Sequence, residues 1–538
     1  MSTGLRILSA AALLFSFIYL VWLSCYNQGP FGCLYLTAEC LMASLLALFV
    51  INHWFQKQTE PVVIGLKSRT RELCDSLLNS RQPHCLEHIV TDDSPLIEDG
   101  AGLGRLDIWL PVVNEPLEMF EQTLLASMAI DWEEKTVYVL DDGDREYVRH
   151  LADCYGAVYL VRPERLHAKA GNLNHALHRS RGRFILVLDA DQVVEPQIAR
   201  ELIGHFLEDS KLALVATRQR FDVTKNDFNR DLVFYNHMQP GKNADNAAIS
   251  CGSGVIYRRE SIESIGGFAT WNIVEDLTTS FELHAAGWRT LYANKSYTTG
   301  TAPTDLPTIY KQRGTWALDS LRLIVPWSRF WRVRLTIQQR LHYLELGWVY
   351  IVSAVATPLL LLVLGADVVW GAQLFADHQD GVWYTQYTEY LGLRGVSLGL
   401  ALVLFWMADG KRLASSRWWS ALWPVYLWAL LLAITGRKRP YRVTSKIPSS
   451  GIRGLICAGP QLFVLTFLLA VWLFGQSFPH ETPFKSLSHG LLILCLVYGW
   501  WPLVVSGSML GRTRSCLTDG NTSEVWLKKQ RLAPETTR

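Results

Sequence analysis

The chain has 538 residues, 49% of them hydrophobic, and can hold one large soluble domain together with several membrane helices. A net charge of only +2 gives no bulk electrostatic basis for binding nucleic acid, which is not an expected partner. Ten scattered cysteines without a CxxC pair support neither a disulfide scaffold nor a structural zinc site.

Two apolar runs open the chain, 7–23 and 33–50, separated by the short turn Asn27-Gln28-Gly29-Pro30. A secretory leader needs one such run, so the tandem predicts a transmembrane hairpin over residues 1–54. A polar linker, 55–104, follows. From 105 to 330, short apolar segments alternate with helical patterns. Strands are predicted at 106–112, 136–140, 157–161, 183–188 and 212–217, and helices near 117–130, 145–155, 170–181 and 196–207. This alternation predicts an α/β domain with a largely parallel central sheet, whose ligands bind at the carboxyl ends of the strands.

Carboxylates stand at those ends. Asp141 and Asp142 follow one predicted strand, and Asp189-Ala190-Asp191 follow another. One residue apart on an extended segment, Asp189 and Asp191 face the same side. Two hard oxygen ligands plus substrate phosphates suit Mg²⁺ or Mn²⁺, the plainer alternative being a solvated acidic loop. Glu275 and Asp276 open a later helical pattern. Asp276 is either a helix cap or a general base, and its position alone does not choose between them.

Beyond the α/β block, 333–346 has apolar residues at helical spacing and reads as an amphipathic helix on the membrane surface. Further apolar stretches lie near 345–365, 393–407, 417–434, 455–475 and 488–507. The loop 366–392 holds Asp367, Asp377, Asp380 and Glu389 with no Lys or Arg, whereas Arg437, Lys438, Arg439, Arg442 and Lys446 and the tail after 510 are basic. The positive-inside rule keeps both basic segments on one side only if one stretch does not cross. Rich in Trp and interrupted by Pro424, 417–434 is that stretch, and six transmembrane helices with cytoplasmic ends are expected. No ionisable residue lies between 349 and 364 and few lie in the other spans, so a transporter without catalysis is not expected.

Taken as a set, Asp141-Asp142-Gly143, Asp189-x-Asp191, Glu275-Asp276 and Gln312-x-x-x-Trp316 resemble the processive family 2 glycosyltransferases, the cellulose synthase group. Thirty-five residues separate Asp276 from Gln312, the spacing of that group's signature. Pro111-Val112-Val113-Asn114-Glu115-Pro116, His167-Ala168-Lys169-Ala170-Gly171-Asn172, Cys251-Gly252-Ser253-Gly254 and Tyr441-Arg442-Val443-Thr444-Ser445-Lys446 agree with it, the last resembling a gating loop.

The resemblance implies a GT-A-like cytoplasmic catalytic domain inserted between transmembrane helices, in a bacterial inner membrane. It implies an enzyme that polymerises a nucleotide sugar, UDP-glucose foremost, into a β-glucan and passes it across the bilayer, with periplasmic or outer-membrane export partners conceivable. Asn114, Glu115, Asp141 and Asp142 would lie at the nucleotide and Lys169 at the diphosphate. Asp189 and Asp191 would hold donor and metal, Asp276, beside Glu275, would be the base, and Gln312 and Trp316 would meet the acceptor sugar. Thr444 and Lys446 would reach phosphate oxygens. Thr315 stands where the group usually has Arg, and Arg313 or Lys446 would supply that charge. The alternatives are a non-processive transferase acting on a lipid-linked acceptor and a synthase of an N-acetylglucosamine polymer. The tail after 510 lacks RxxxR and room for a β-barrel, so cyclic-dinucleotide control through this chain is not expected.

Overall fold

The structure is a computed structural model that describes residues 2–26, 29–64, 104–223, 227–303, 305–370, 383–412, 414–437 and 456–475. Thr444, Lys446 and the apolar run 488–507 lie outside the described residues.

Strand β1 (Leu106–Val112) shows how sequence pattern becomes a two-faced layer. Its Leu106, Ile108, Leu110 and Val112 enter one hydrophobic cluster, while Trp109 enters the cluster on the other face, as the period of two requires. Helix α1 (Thr3–Tyr26), α2 (Gly29–His53), α3 (Leu117–Met128), β2 (Lys135–Asp141), α4 (Glu146–Cys154), β3 (Val158–Leu160), α5 (Ala168–Arg179) and β4 (Phe184–Val187) match predicted elements within a few residues. The predicted helix at 196–207 is two short ones, α6 (Ile198–Leu202) and α7 (Gly204–Glu208), followed by β6 (Leu212–Phe221).

The remaining elements of the domain were not in the sequence reading. They are β5 (Val193–Val194), α8 (Gln239–Ala244), β7 (Val255–Arg258), α9 (Arg259–Ser264) and β8 (Arg289–Gly300). The helical pattern after Glu275 is α10 (Glu275–Ala285). All the strands form one sheet in the order β3-β2-β1-β4-β7-β6-β8-β5. β1 pairs parallel with β2 and β4, β2 with β3, and β6 with β8, while β7 runs antiparallel to both β4 and β6. The chain leaves β1 toward β2 on one side and reaches β4 on the other. The carboxyl ends of β1, β2 and β4 therefore open on one crevice, the topological switch point of the sheet.

The helical part is organised by α12 (Ile337–Trp370), 34 residues with Pro358 inside. A span needs only about 20 residues. The surplus is the segment predicted to lie on the membrane surface, and it is instead the continuous foot of α12. Its Gln339, His342 and Glu345 are buried, while Gln338 stays exposed. Gln339 Nε2 donates to the Asn246 carbonyl (2.7 Å), His342 Nε2 lies 2.9 Å from Asp245, and Lys242 of α8 donates to the His342 carbonyl (2.9 Å). Glu345 accepts from Asn52 (2.9 Å) and meets His53 Nε2 (2.8 Å) at the end of α2. The period of 3.6 was right, but the charged face is a docking face.

Among the described residues four helices are long and apolar enough to cross a membrane: α1, α2, α12 and, within α13 (Trp383–Ala408), residues 388–408. α2 packs on α12 and α1 on α13. The Trp-rich stretch folds as α14 (Ala414–Ala421) and α15 (Trp423–Thr435), and α15, with 13 residues, is short of a span. α16 (Gly459–Gly475) follows. One expectation needs correction: the spans do hold a buried ion pair, Glu39 of α2 with Arg394 of α13 at 2.9 Å. Tyr35 and Tyr390 join beside it at 2.6 Å. Such a pair in an apolar slab fixes helix register, since each charge is costly without the other.

Candidate active site

At the end of β1, the Glu115 carboxylate accepts the backbone N–H groups of Val113 (2.8 Å) and Asn114 (3.1 Å); Val113 and Glu115 line the crevice, and Asn114 is exposed. Asp141 is fully buried. It accepts from the N–H groups of Gly143 (2.8 Å) and Arg145 (2.9 Å) and from the Tyr159 hydroxyl (3.0 Å), and so closes the turn after β2. Asp142 takes a two-pronged grip from Arg162, Nε to Oδ1 at 2.6 Å and Nη2 to Oδ2 at 2.7 Å. Of the two, Asp142 lines the crevice.

Lys169 is the hub. His167 and Ala168, at the start of α5, both have positive φ (62° and 45°), a backbone state that costs an L-residue of order 1–3 kcal/mol. This bend delivers the Lys169 ammonium to Asp189 Oδ1 (2.7 Å), the Gly252 carbonyl (2.7 Å) and Glu275 Oε1 (3.1 Å). Burial alone would lower the ammonium, but Asp189 and Glu275 outweigh it and hold it well above the usual lysine range. Burial likewise pushes the Asp189 carboxyl up, with Lys169 opposing. The backbone N–H of Asp189 is fixed by the Ser253 hydroxyl at 2.9 Å, and Asp191 Oδ2 accepts from Thr301 (2.5 Å).

Asp276 is the second residue of α10. Its Oδ1 accepts from the Leu277 N–H at 2.6 Å, so the cap-like contact exists. It also faces the crevice together with Glu275. Burial first, and the Glu275 charge second, push the Asp276 carboxyl up, against the pull of Lys169. Gly252, at φ +82°, makes this approach possible: a Cβ there would lie 2.9 Å from Asp276 Oδ2. The cap-like contact and the raised carboxyl therefore belong to one residue.

Helix α11 (Leu306–Ile324) closes the crevice from the membrane side, with Gln312, Thr315 and Trp316 lining it. Thr315 bonds back to the Lys311 carbonyl (2.8 Å). The Arg313 guanidinium lies on Asp231 (2.9 and 3.2 Å) and over the Trp316 ring (4.7 Å to the centroid), bracing that ring, and Arg313 itself also lines the crevice. Burial pushes the Asp231 carboxyl up, with Arg313 opposing.

The crevice is one cavity of about 1740 Å³. Its lower wall is Asp142, Lys169, Asp189, Asp191, Glu275 and Asp276. Its upper wall runs into the helices through Met42, Leu45, Val349, Val352, Ala356 and Thr357. Arg162, Asp231, Ser253 and Thr301 were missed by sequence reasoning. Each acts by binding a motif residue that is distant in the chain, and no local pattern marks them.

Comparison with known proteins accords with the motif resemblance. Residues 107–266 match the family described as Glycosyl transferase family 2, and residues 263–369 the one described as Cellulose synthase. A cellulose synthase 1 catalytic subunit (UDP-forming) of Komagataeibacter xylinus is 35% identical over 253 residues, 45% of this chain and 34% of that protein. A cellulose synthase catalytic subunit (UDP-forming) of Komagataeibacter sucrofermentans is 34% identical over 301 residues, 52% of this chain and 40% of that protein. The chain thus spans well under half the length of these curated relatives. A mannosyltransferase from Pyrobaculum calidifontis, solved with GDP-Man and Mn²⁺, superposes with a TM-score of 0.50 at 17% identity, covering 75% of this chain and all of that one. At that identity the likeness concerns the fold, which is GT-A-like.

Proposed function

We propose that this chain, with its family 2 glycosyltransferase segment running into a cellulose synthase segment, is a processive, inverting hexosyltransferase that makes a β-glucan from UDP-glucose and threads it through its own helices. The carrying observation is the single cavity whose floor holds the carboxylates and Lys169 and whose roof is made of membrane helices.

The donor's nucleotide lies at the β1 and β2 ends, near Asn114, Glu115, Asp141 and Asp142, and its diphosphate near Lys169. The terminal sugar of the acceptor stacks on Trp316, beside Gln312. Stacking suits a chain that must slide after each addition, since it holds a ring without fixing its rotation. Asp276 takes the proton from the acceptor hydroxyl. The oxygen bonds to C1 of glucose as the bond from C1 to the diphosphate breaks, UDP leaves, and configuration at C1 inverts. Lys169 meets the charge growing on the departing diphosphate.

Asp189 and Asp191 fit a divalent ion: they offer two hard oxygen donors one residue apart and leave the remaining positions to phosphate and water, as Mg²⁺ or Mn²⁺ prefers. When bound, the ion supplies Lewis-acid stabilisation of the leaving diphosphate. Residues 105–330 would be cytoplasmic, with 1–54 a membrane hairpin, 55–104 a linker and 331–538 the remaining helices with a gating loop carrying Thr444 and Lys446. The bilayer would be the bacterial inner membrane.

The test is incubation of the purified protein with UDP-glucose and Mg²⁺ or Mn²⁺, following UDP release and analysing the linkage of the product. Polymer of β-linked glucose is the expected product. UDP release with a single sugar on a lipid would replace processive synthesis by one-step transfer.

A further inference from the structure

Helix α10, which carries Glu275 and Asp276, starts at Val274, a residue with no side-chain group to cap a helix. Such an end leaves backbone N–H groups that need an acceptor. Here the acceptor comes from another element. Asp319 of α11, fully buried, takes the Val274 N–H on Oδ2 at 2.5 Å, and its own carbonyl takes Asn272 Nδ2 at 3.1 Å. The Arg322 guanidinium stands 3.7 Å from the other carboxylate oxygen. Asp319 also lies one turn beyond Trp316 on the same helix, and both line the cavity. One buried side chain thus joins the helix that offers the aromatic floor to the first turn of the helix that offers the base.

We propose that Asp319 is a positioning residue that sets the reach of Asp276 over a sugar stacked on Trp316. The Val274–Asp319 bond is a direct polar tie from α11 to the start of α10. A shift of α10 relative to α11 changes the distance from Asp276 to the acceptor hydroxyl, and on the donor side it reaches only the Glu275 contact of Lys169, which keeps its bonds to Asp189 and the Gly252 carbonyl. The proposal rests on the reading of Asp276 as the base.

Its test is steady-state kinetics and UDP binding of the full chain in detergent or lipid nanodiscs, with UDP-glucose and Mn²⁺. Asp319→Asn keeps an oxygen acceptor for the Val274 N–H and is expected to stay within about threefold of the parent, while Asp319→Ala loses up to about 10²-fold in kcat, the scale of a misplacement near 1 Å. Donor KM and UDP affinity remain as in the parent in both. Should Asp319→Ala fail to fold, judged by UDP binding and melting temperature, Asp319→Glu carries the test: it keeps the charge but moves the oxygen by one methylene, and the same kcat loss at unchanged donor KM is expected. Parental kcat in the Ala variant, or in the Glu variant where that one carries the test, overturns the proposal. So does a fall in UDP affinity that tracks the loss of kcat, since that marks a general structural role. Asp276→Asn is run in parallel. Full activity there overturns the base assignment itself, whatever the Asp319 variants do.

Discussion

Two carboxylate groups gather beyond the carboxyl ends of β2 and β4, on either side of β1, and they are built oppositely. Asp141 and Asp142 are saturated: three donors hold the first and a two-pronged arginine holds the second. Asp189, Glu275 and Asp276 share mainly one ammonium, that of Lys169, and burial and mutual repulsion push Asp276 up. The first group is held rigid and shapes the crevice, while the second is left short of cations, a state suited to receiving a divalent ion and a proton. In the sequence the two look alike, as paired acids after apolar strands. Their difference lies in partners 20 or more positions away, such as Arg162 and Lys169.

The strongest way to break the comparison is Asp276→Asn, expected to lower kcat about 10²–10⁴-fold, the range for loss of a general base, with UDP binding kept. Asp191→Asn comes next. It should weaken activity in a way that added Mn²⁺ partly restores, whereas Asp142→Asn should show no such metal rescue and should lower the melting temperature. Breaking the buried Asp142–Arg162 pair is worth about 3–5 kcal/mol. A metal response in the Asp142 variant would erase the distinction between the two groups.

Arg313→Ala should lower turnover strongly while donor KM stays put, because it strips the brace from Trp316 and strands Asp231. Arg313→Lys should rescue it only in part, since an ammonium lacks the planar fork and stacks less well. A rise in donor KM would instead return Arg313 to the diphosphate role first expected of it. The smallest effect is on pH dependence. Asp276 must be ionised to act and its pKa is raised, so kcat should rise with pH on a limb above the ordinary carboxylate range near 4. Glu275→Gln removes a like charge and should move that limb to lower pH. An upward shift would mean that Glu275 does not repel Asp276.

Much of this was legible in the chain because the physics is local. Leu106, Ile108, Leu110 and Val112 alternate with residues of the opposite face, and Asp141, Asp142 and Asp189 lie within two residues of the ends of β2 and β4. What sequence could not give were features set by long-range partners. β7 and β8 are short or polar along one face and join the sheet through non-consecutive pairing. His342 falls between the apolar positions of the 333–346 pattern, yet it and Glu345 are buried against Asp245 and His53. Asp319 has no motif around it, because its meaning lies in Val274, 45 residues earlier in the chain.

The central claim is that one cavity serves both transfer and passage. Its most direct measurement uses inside-out vesicles containing only this protein, fed UDP-glucose and a divalent cation from outside. The product is then tested for digestion by added β-glucanase before and after the vesicles are opened. Polymer protected until the vesicles are opened is the predicted result. Polymer fully digestible from outside, or no product beyond a lipid-linked single sugar, would contradict it.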